Sequence, residues 1–288
     1  MKNYKYEVID SGSNEYPNKL KEIDNPPKKL YLAGDISLIS TESVAIVGSR
    51  KFTKYGREIS QIIAKELAKS SITVVSGMAL GIDTFAHEAS LKANGKTIAV
   101  LGTGINRVYP ASNRGLMEEI YNKGLIISEY EPNFSGSKFT FPLRNRIISG
   151  ISSKVVIVEA GAKSGALITA NYAIEQGKDV YSVPGNINSY ASIGTNKLIN
   201  DGAIPLINIG DLISNLGIEY VENDIRLKDL SEEETRIAKV VKEAGEITAD
   251  EIYRKTGYEM SKINSITTIL EIKGIVRSYG GKIFYEMQ

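Results

Sequence analysis

From about residue 43 the chain alternates two hydrophobic patterns. Short runs that are apolar throughout, at 44–47 (VAIV), 72–75 (ITVV), 97–101 (TIAVL) and 125–128 (LIIS), are separated by longer stretches whose apolar residues recur every three or four positions. The first pattern reads as strands buried on both faces, the second as amphipathic helices. Ile59, Ile62, Ile63, Glu66 and Leu67 mark one helix, and others are expected from about 83 and about 166. Apolar runs at 155–158, 180–183 and 204–207 extend the series. Strands of this kind alternating with helices predict an α/β fold: an extended Rossmann-like, mostly parallel sheet with helices on both faces, spanning about 41–217.

The flanks read differently. Residues 1–40 look like a lead-in, with a turn at Asn25, Pro26 and Pro27 and a strand-like run at Leu30, Tyr31 and Leu32. Residues 218–228 are polar and weakly patterned, as a linker is. In 229–288, Ser231 and Glu234 spell a capping box ahead of Ile237, Val240, Val241 and Ala244 on one face. A short second helix follows, then a third with Ile263, Ile266 and Leu270 inward, and two strands around Gly280 and Gly281. Three helices and a hairpin predict a C-terminal winged-helix domain. Over 225–288 there are 11 basic and 11 acidic residues, which favours protein contact or weak DNA binding for this tail.

Composition narrows the chemistry. With 42% hydrophobic and 24% charged residues and no apolar run near eighteen, no membrane span is expected, and the start lacks signal-peptide character, so the cytoplasm is the expected location. Absence of cysteine removes disulfides, zinc-thiolate sites and cysteine nucleophiles. A single histidine, His87, argues against histidine-rich metal sites, and neither metal nor cofactor is expected. At a net charge of +1, binding of nucleic acid would need a local basic patch.

Candidate chemistry lies in the turns. Gly48, Ser49 and Arg50 follow the first buried strand and open a helix, the phosphate-binding corner of a doubly wound sheet. The stretch 141–150, FPLRNRIISG, reads as a short helix over 143–149 with Pro142 at its start, which would set Arg144 and Arg146 beside unpaired N–H donors that suit an anion. A surface turn with solvated arginines is the alternative. Two nucleotide motifs fail: 102–107 (GTGINR) has Arg107 where the third glycine of the dinucleotide fingerprint belongs, and Gly95, Lys96 and Thr97 precede a strand and lack the first P-loop glycine. Glu129 and Glu159 lie past strand ends, where they serve either as caps and arginine partners or as acid/base groups. His87 is expected to pack or hydrogen-bond.

Together Gly48-Ser49-Arg50, SGMALGIDTFAH (76–87), LGTGINRVYP (101–110), FPLRNRIISG (141–150), KSGALITA (163–170), VPGNI (183–187) and GTNKLINDGA (194–203) resemble the DNA processing protein A family, also called Smf. The resemblance runs in register over about 160 residues. It implies a protein that binds single-stranded DNA, forms homodimers, protects incoming strands, relieves blockage by single-strand-binding protein and loads RecA recombinase in natural transformation, with no chemical turnover. Carried over, it places DNA-binding roles on Gly48, Ser49, Arg50, Lys138, Arg144, Asn145 and Arg146 and on the turn Lys163, Ser164 and Gly165. The forty residues ahead of the sheet are too few for the helical domain many members carry there.

A basic groove with stacking aromatics is what sequence-independent grip on a single strand needs. Phe141 is the favoured stacking residue, with Tyr109 and Phe139 as further candidates, and a core position is Phe141's alternative. A rival of another class is a nucleotide phosphoribohydrolase on the same kind of fold. That signature, PGGxGTxxE, is replaced by EAGAKSGALITA (159–170), which lacks the catalytic glutamate. A protein-interaction scaffold, the third reading, predicts no salt-sensitive DNA binding.

Overall fold

The structure is a computed structural model and describes residues 4–219 and 230–286. The chain divides into two compact units, 1–220 and 221–288. The expected linker at 218–228 lies, from residue 220 on, outside the described residues. Among those described, no helix is long and apolar enough to cross a membrane.

Strands β1 (Glu7–Asp10), β2 (Lys29–Gly34), β3 (Ser43–Val47), β4 (Thr73–Ser76), β5 (Thr97–Leu101), β6 (Leu125–Ser128), β7 (Lys154–Ile157), β8 (Val180–Ser182) and β9 (Ile204–Pro205) build the first unit's sheet. Its order is β1-β2-β6-β5-β4-β3-β7-β8-β9. The pairs β1–β2 and β2–β6 are antiparallel, and every pair from β6 to β9 is parallel. The helices are α1 (Asn18–Lys21), α2 (Lys54–Lys69), α3 (Ile82–Lys92), α4 (Arg114–Lys123), α5 (Thr140–Ile151), α6 (Ala166–Glu175), α7 (Ile193–Asn200) and α8 (Ile209–Ser214). The Rossmann-like α/β fold read from the sequence is therefore the fold of this unit.

Strand alternation sends neighbouring residues to opposite faces, and both faces are covered. Val44 and Ile46 of β3 pack with Val74 and Val156 against Ile63, Ala64 and Leu67 of α2. Ala45 and Val47 face the other way, into a cluster with Ile147 and Ile151 of α5 and Ala170 of α6. This is why the parallel strands are apolar without interruption.

The lead-in at 1–40 is not a separate segment. It supplies β1 and β2, which extend the sheet edge, and Tyr16, Leu20 and Ile23, which share a core with Ile147, Ile148 and Ile151 of α5. A Cβ on Gly150 would come within 2.6 Å of Leu20 Cδ2, so glycine is what lets α1 sit this close. Helix α5 begins at Thr140, three residues before the expected start, and Pro142 is its third residue. Proline is tolerated there because first-turn N–H groups have no partner within the helix.

Arg146 is the bolt between α5 and its surroundings. Its Nη1 and Nη2 donate side by side to Glu129 Oε1 and Oε2, just past β6, at 2.7 and 2.6 Å, while Nε donates to Asn25 O at 2.9 Å. The residue is only 3% exposed. His87 on α3 is fully buried with Nδ1 2.6 Å from Thr97 Oγ1. Because the Thr97 hydroxyl donates to Val74 O at 2.8 Å, its oxygen is left to accept, which fixes the proton on His87 Nδ1. Burial, reinforced by the Arg144 charge, pushes the imidazole down to about 3.

The second unit contains α9 (Glu232–Ala244), β10 (Glu246–Thr248), α10 (Ala249–Thr256), α11 (Met260–Ile272), β11 (Val276–Tyr279) and β12 (Lys282–Tyr285). Its antiparallel sheet has the order β10-β12-β11. The Ser231–Glu234 capping box forms as expected. Gly280 and Gly281 both have positive φ, +60° and +77°, as a two-residue hairpin turn of the mirror-image type requires. Strand β10 was not anticipated, since a three-residue run ahead of the Thr248 cap carries almost no periodic signal. Lys262, Lys273 and Lys282 are paired with Glu233, Glu234 and Glu246.

Two outcomes follow from these buried groups. Removing the bolt leaves Glu129 without its partner, so Arg146→Ala should cost about 3 kcal/mol in urea unfolding; a loss below about 1 kcal/mol would show the pair to be dispensable. The sole imidazole should stay neutral with its proton on Nδ1 in ¹⁵N-edited spectra from pH 8 to 4, and a midpoint near 6.5 would contradict its burial. Since the imidazole of the unfolded chain takes up a second proton below about 6.5 and the folded one does not, His87's contribution to stability is lost as pH falls from 6.5 toward 3.

Candidate functional site

Strand order reverses between β3 and β7. After β3 the chain builds outward through β4 and β5 on one side, and after β7 it builds outward through β8 and β9 on the other. The loops leaving these two strands must lead to α2 and α6 on opposite faces of the sheet, so they diverge and leave a crevice beyond the carboxyl ends of the strands. A cleft of about 690 Å³ opens there.

The expected site residues fall around this cleft with one exception. Gly48, Ser49, Arg50, Lys138, Phe141, Arg144, Asn145, Lys163, Ser164 and Gly165 all line it. Ser49 Oγ donates to Lys51 O at 2.7 Å and accepts from Lys51 N at 3.0 Å, closing the turn that lifts Arg50 into solvent. A Cβ on Gly48 would strike Ile82 at 2.7 Å, so glycine is required where this turn passes the start of α3. Lys138 and Lys163 are exposed on other loops of the cleft wall.

Arg146 is the exception and a correction to the sequence reading. It points out of the cleft into its pair with Glu129. Residues two apart on an α-helix differ by roughly 200° in direction, so Arg144 and Arg146 cannot face one ligand. Nor do their guanidinium groups stand at the N-terminus of α5. Arg144 turns inward, 4% exposed, and its Nη1 donates to Gly77 O at 2.8 Å and to Val100 O at the ends of β4 and β5. Its Nε donates to Asn145 Oδ1 at 3.1 Å, and Asn145 Nδ2 reaches Gly165 O at 3.3 Å, which links the cation to the loop after β7. Nη2 has no hydrogen-bond partner among the described residues.

Around this cation the cleft floor is tightly arranged. A Cβ on Gly77 would come within 2.7 Å of Arg144 Nη2 and 2.8 Å of Asp83 Oδ2, so only glycine admits both groups. Burial raises the Asp83 carboxyl above its ordinary value, against the pull of Arg144 and the Gly77 and Ala79 N–H groups. Burial lowers Arg144 to about 10, which leaves it charged at neutral pH. The lining holds five cations (Arg50, Lys51, Lys138, Arg144 and Lys163) and one carboxylate, Asp83. Glu129 and Glu159 do not line it: Glu129 is taken by Arg146, and Glu159 accepts from Thr53 N and Oγ1 at 2.9 and 2.5 Å at the start of α2.

Aromatic rings edge the cleft. Phe141 is half-buried, with its ring centroid 4.8 Å from that of Tyr109. Phe139, a further stacking candidate from the sequence, is not part of the lining; it is 71% exposed with Lys138 Nζ 5.0 Å from its centroid. Two lining residues had no signal in the sequence: Lys51, hidden behind the Gly-Ser-Arg turn, and Tyr190, which follows a polar loop and belongs to no periodic pattern.

A family model described as DNA recombination-mediator protein A matches residues 7–217. Protein Smf of Synechocystis sp. is 44% identical over 207 residues, covering 70% of this chain and 52% of the relative, so the chain spans about half of that protein's length. DNA processing protein DprA of Bacillus subtilis is 39% identical over 219 residues, 75% of this chain and 74% of the relative. The X-ray structure of DprA from Streptococcus pneumoniae matches with a TM-score of 0.71 and 39% identity, over 75% of this chain and 76% of that one. A structure describing the single-stranded DNA binding mode of DNA processing protein A from Helicobacter pylori matches with a TM-score of 0.68 and 36% identity, over 74% of this chain and 96% of that one. With the model matched from β1 to the end of the sheet domain and these relatives sharing its sequence and fold, the chain belongs to the DNA recombination-mediator protein A family.

Proposed function

We propose that the cleft between the β3 and β7 loops binds single-stranded DNA without sequence preference, and that the protein does no covalent chemistry on it. One observation supports this above the rest: five cations and a single carboxylate line a cleft whose rim carries exposed aromatic rings. Single strands are held through their phosphates by such cations and through their bases by stacking, and neither contact reads sequence. The Helicobacter pylori relative, whose structure concerns its single-stranded DNA binding mode, points the same way.

Binding of this kind fits a mediator that covers incoming strands in the cytoplasm, works as a homodimer, displaces single-strand-binding protein and passes the strand to RecA during natural transformation. The contribution of Gly48, Ser49 and Gly165 is close backbone approach to a phosphate, while Arg50, Lys138 and Lys163 supply mobile charge and Arg144 fixed charge. The second unit, with its order of helix, strand, two helices and hairpin, is read as a winged helix. Three of its lysines are already paired with its own carboxylates, which favours protein contact over DNA for this unit.

Fluorescence anisotropy with labelled oligo-dT and mixed-sequence oligonucleotides tests the cleft. Arg50→Ala should weaken every oligonucleotide alike and flatten the plot of log K against log salt by about 0.7, the release from one phosphate contact on a single strand. Unchanged affinity and slope would take Arg50 out of the site.

A further inference from the structure

Tyr190 has no part in the contacts described so far. It lines the cleft yet is 69% exposed. Its position is set by backbone. Ala160 N donates to Ala191 O at 2.8 Å and Gly194 N donates to Ala160 O at 2.7 Å, so the segment carrying Tyr190 is pinned to the chain just after β7. A Cβ on Gly161 would lie 2.6 Å from Tyr190 Cε1, which shows the ring resting on the bare glycine backbone. Among the described residues its hydroxyl has no hydrogen-bond partner, so no polar contact accounts for a tyrosine here. The ring is braced beneath by Gly161 and largely open to solvent in a cleft that Lys163 also lines.

The Phe141–Tyr109 pair sits at the end of β5, where a Cβ on Gly102 would touch Phe141 Cδ1 at 2.6 Å. In the sheet, β5 and β7 are separated by β4 and β3. At about 4.8 Å between neighbouring strands, three intervals put the two aromatic platforms on the order of 14 Å apart. Arg50 follows β3, and Arg144 donates to Gly77 O just after β4, so both cations belong to the strands that intervene. A mononucleotide can rest its base on one platform only. A chain of nucleotides can stack on one, cross the cations with its phosphates and stack on the other.

We propose that Tyr190 is a base-stacking platform at the β7 side of the cleft, so that the site selects an oligonucleotide spanning the sheet ends over a free nucleotide. This rests on the single-strand reading above and adds to it a residue and a path for the strand.

The 288-residue chain is titrated with labelled oligo-dT and with an abasic oligonucleotide of the same length and charge. Wild type should prefer oligo-dT. Tyr190→Ala should lose affinity for oligo-dT on the order of tenfold, the usual effect of removing one stacking ring, and bind the abasic strand as wild type does. Tyr190→Phe, which keeps the ring, should match wild type on both. If Tyr190→Ala binds oligo-dT normally, or weakens both strands equally, the stacking role is overturned while strand binding stands. If the wild-type chain binds neither strand, the single-strand reading itself is overturned, and this inference with it.

Discussion

The parallel pairing of β3 with β7 is the constraint from which the site follows. Val44 to Val47 lie in register with Lys154 to Ile157, and the chain departs from this pair toward opposite edges of the sheet. Two loops that start side by side and must reach helices on opposite faces cannot close over one another. The crevice is therefore a consequence of topology, and it exists before any side chain is chosen. What the sequence adds is its lining: small residues where backbone must come close, and cations on each wall.

The cations in that lining fall into two physical classes. Arg50, Lys138 and Lys163 are exposed, so their attraction for a polyanion reaches only about 8 Å at physiological ionic strength. Arg144 is buried under Gly77 with its Nη1 spent on two carbonyls, and solvent screens it far less. Such a cation is costly to bury, and it survives because carbonyl oxygens and the nearby Asp83 carboxyl offset the lost hydration. The exposed side chains can move with an anion, whereas the buried one holds its charge at a fixed point of the cleft floor.

Much of this was legible in the sequence, for a definite reason. Strands covered on both faces must be apolar throughout, so 44–47 and 97–101 announce a parallel sheet without help from their neighbours, and the Gly-Ser-Arg turn announces the corner where the crevice opens. Direction along a helix was not legible. Arg144 and Arg146 look equivalent in FPLRNRIISG, yet one turns under the cleft and the other is bound to Glu129 seventeen residues earlier. The packing of α1 against α5, with the Asn25 carbonyl and Glu129 as Arg146's partners, decides this, and nothing in the turn at Asn25 marks it in the sequence as a partner for an arginine. Tyr190 escaped because its significance comes from Gly161, across the cleft wall and far away in sequence.

Location also explains how a chain of net charge +1 can carry a cleft with a local excess of positive charge. Bulk charge sets long-range attraction, and here there is almost none. Glu129 and Glu159, which would repel phosphate if they faced the cleft, are each turned away into hydrogen bonds that the fold itself needs: one holds α5 through Arg146, the other holds the start of α2 through Thr53. The acids that stabilise the domain are thereby removed from the surface that would suffer from them. The local excess of positive charge thus comes from where the carboxylates are directed as much as from where the cations are.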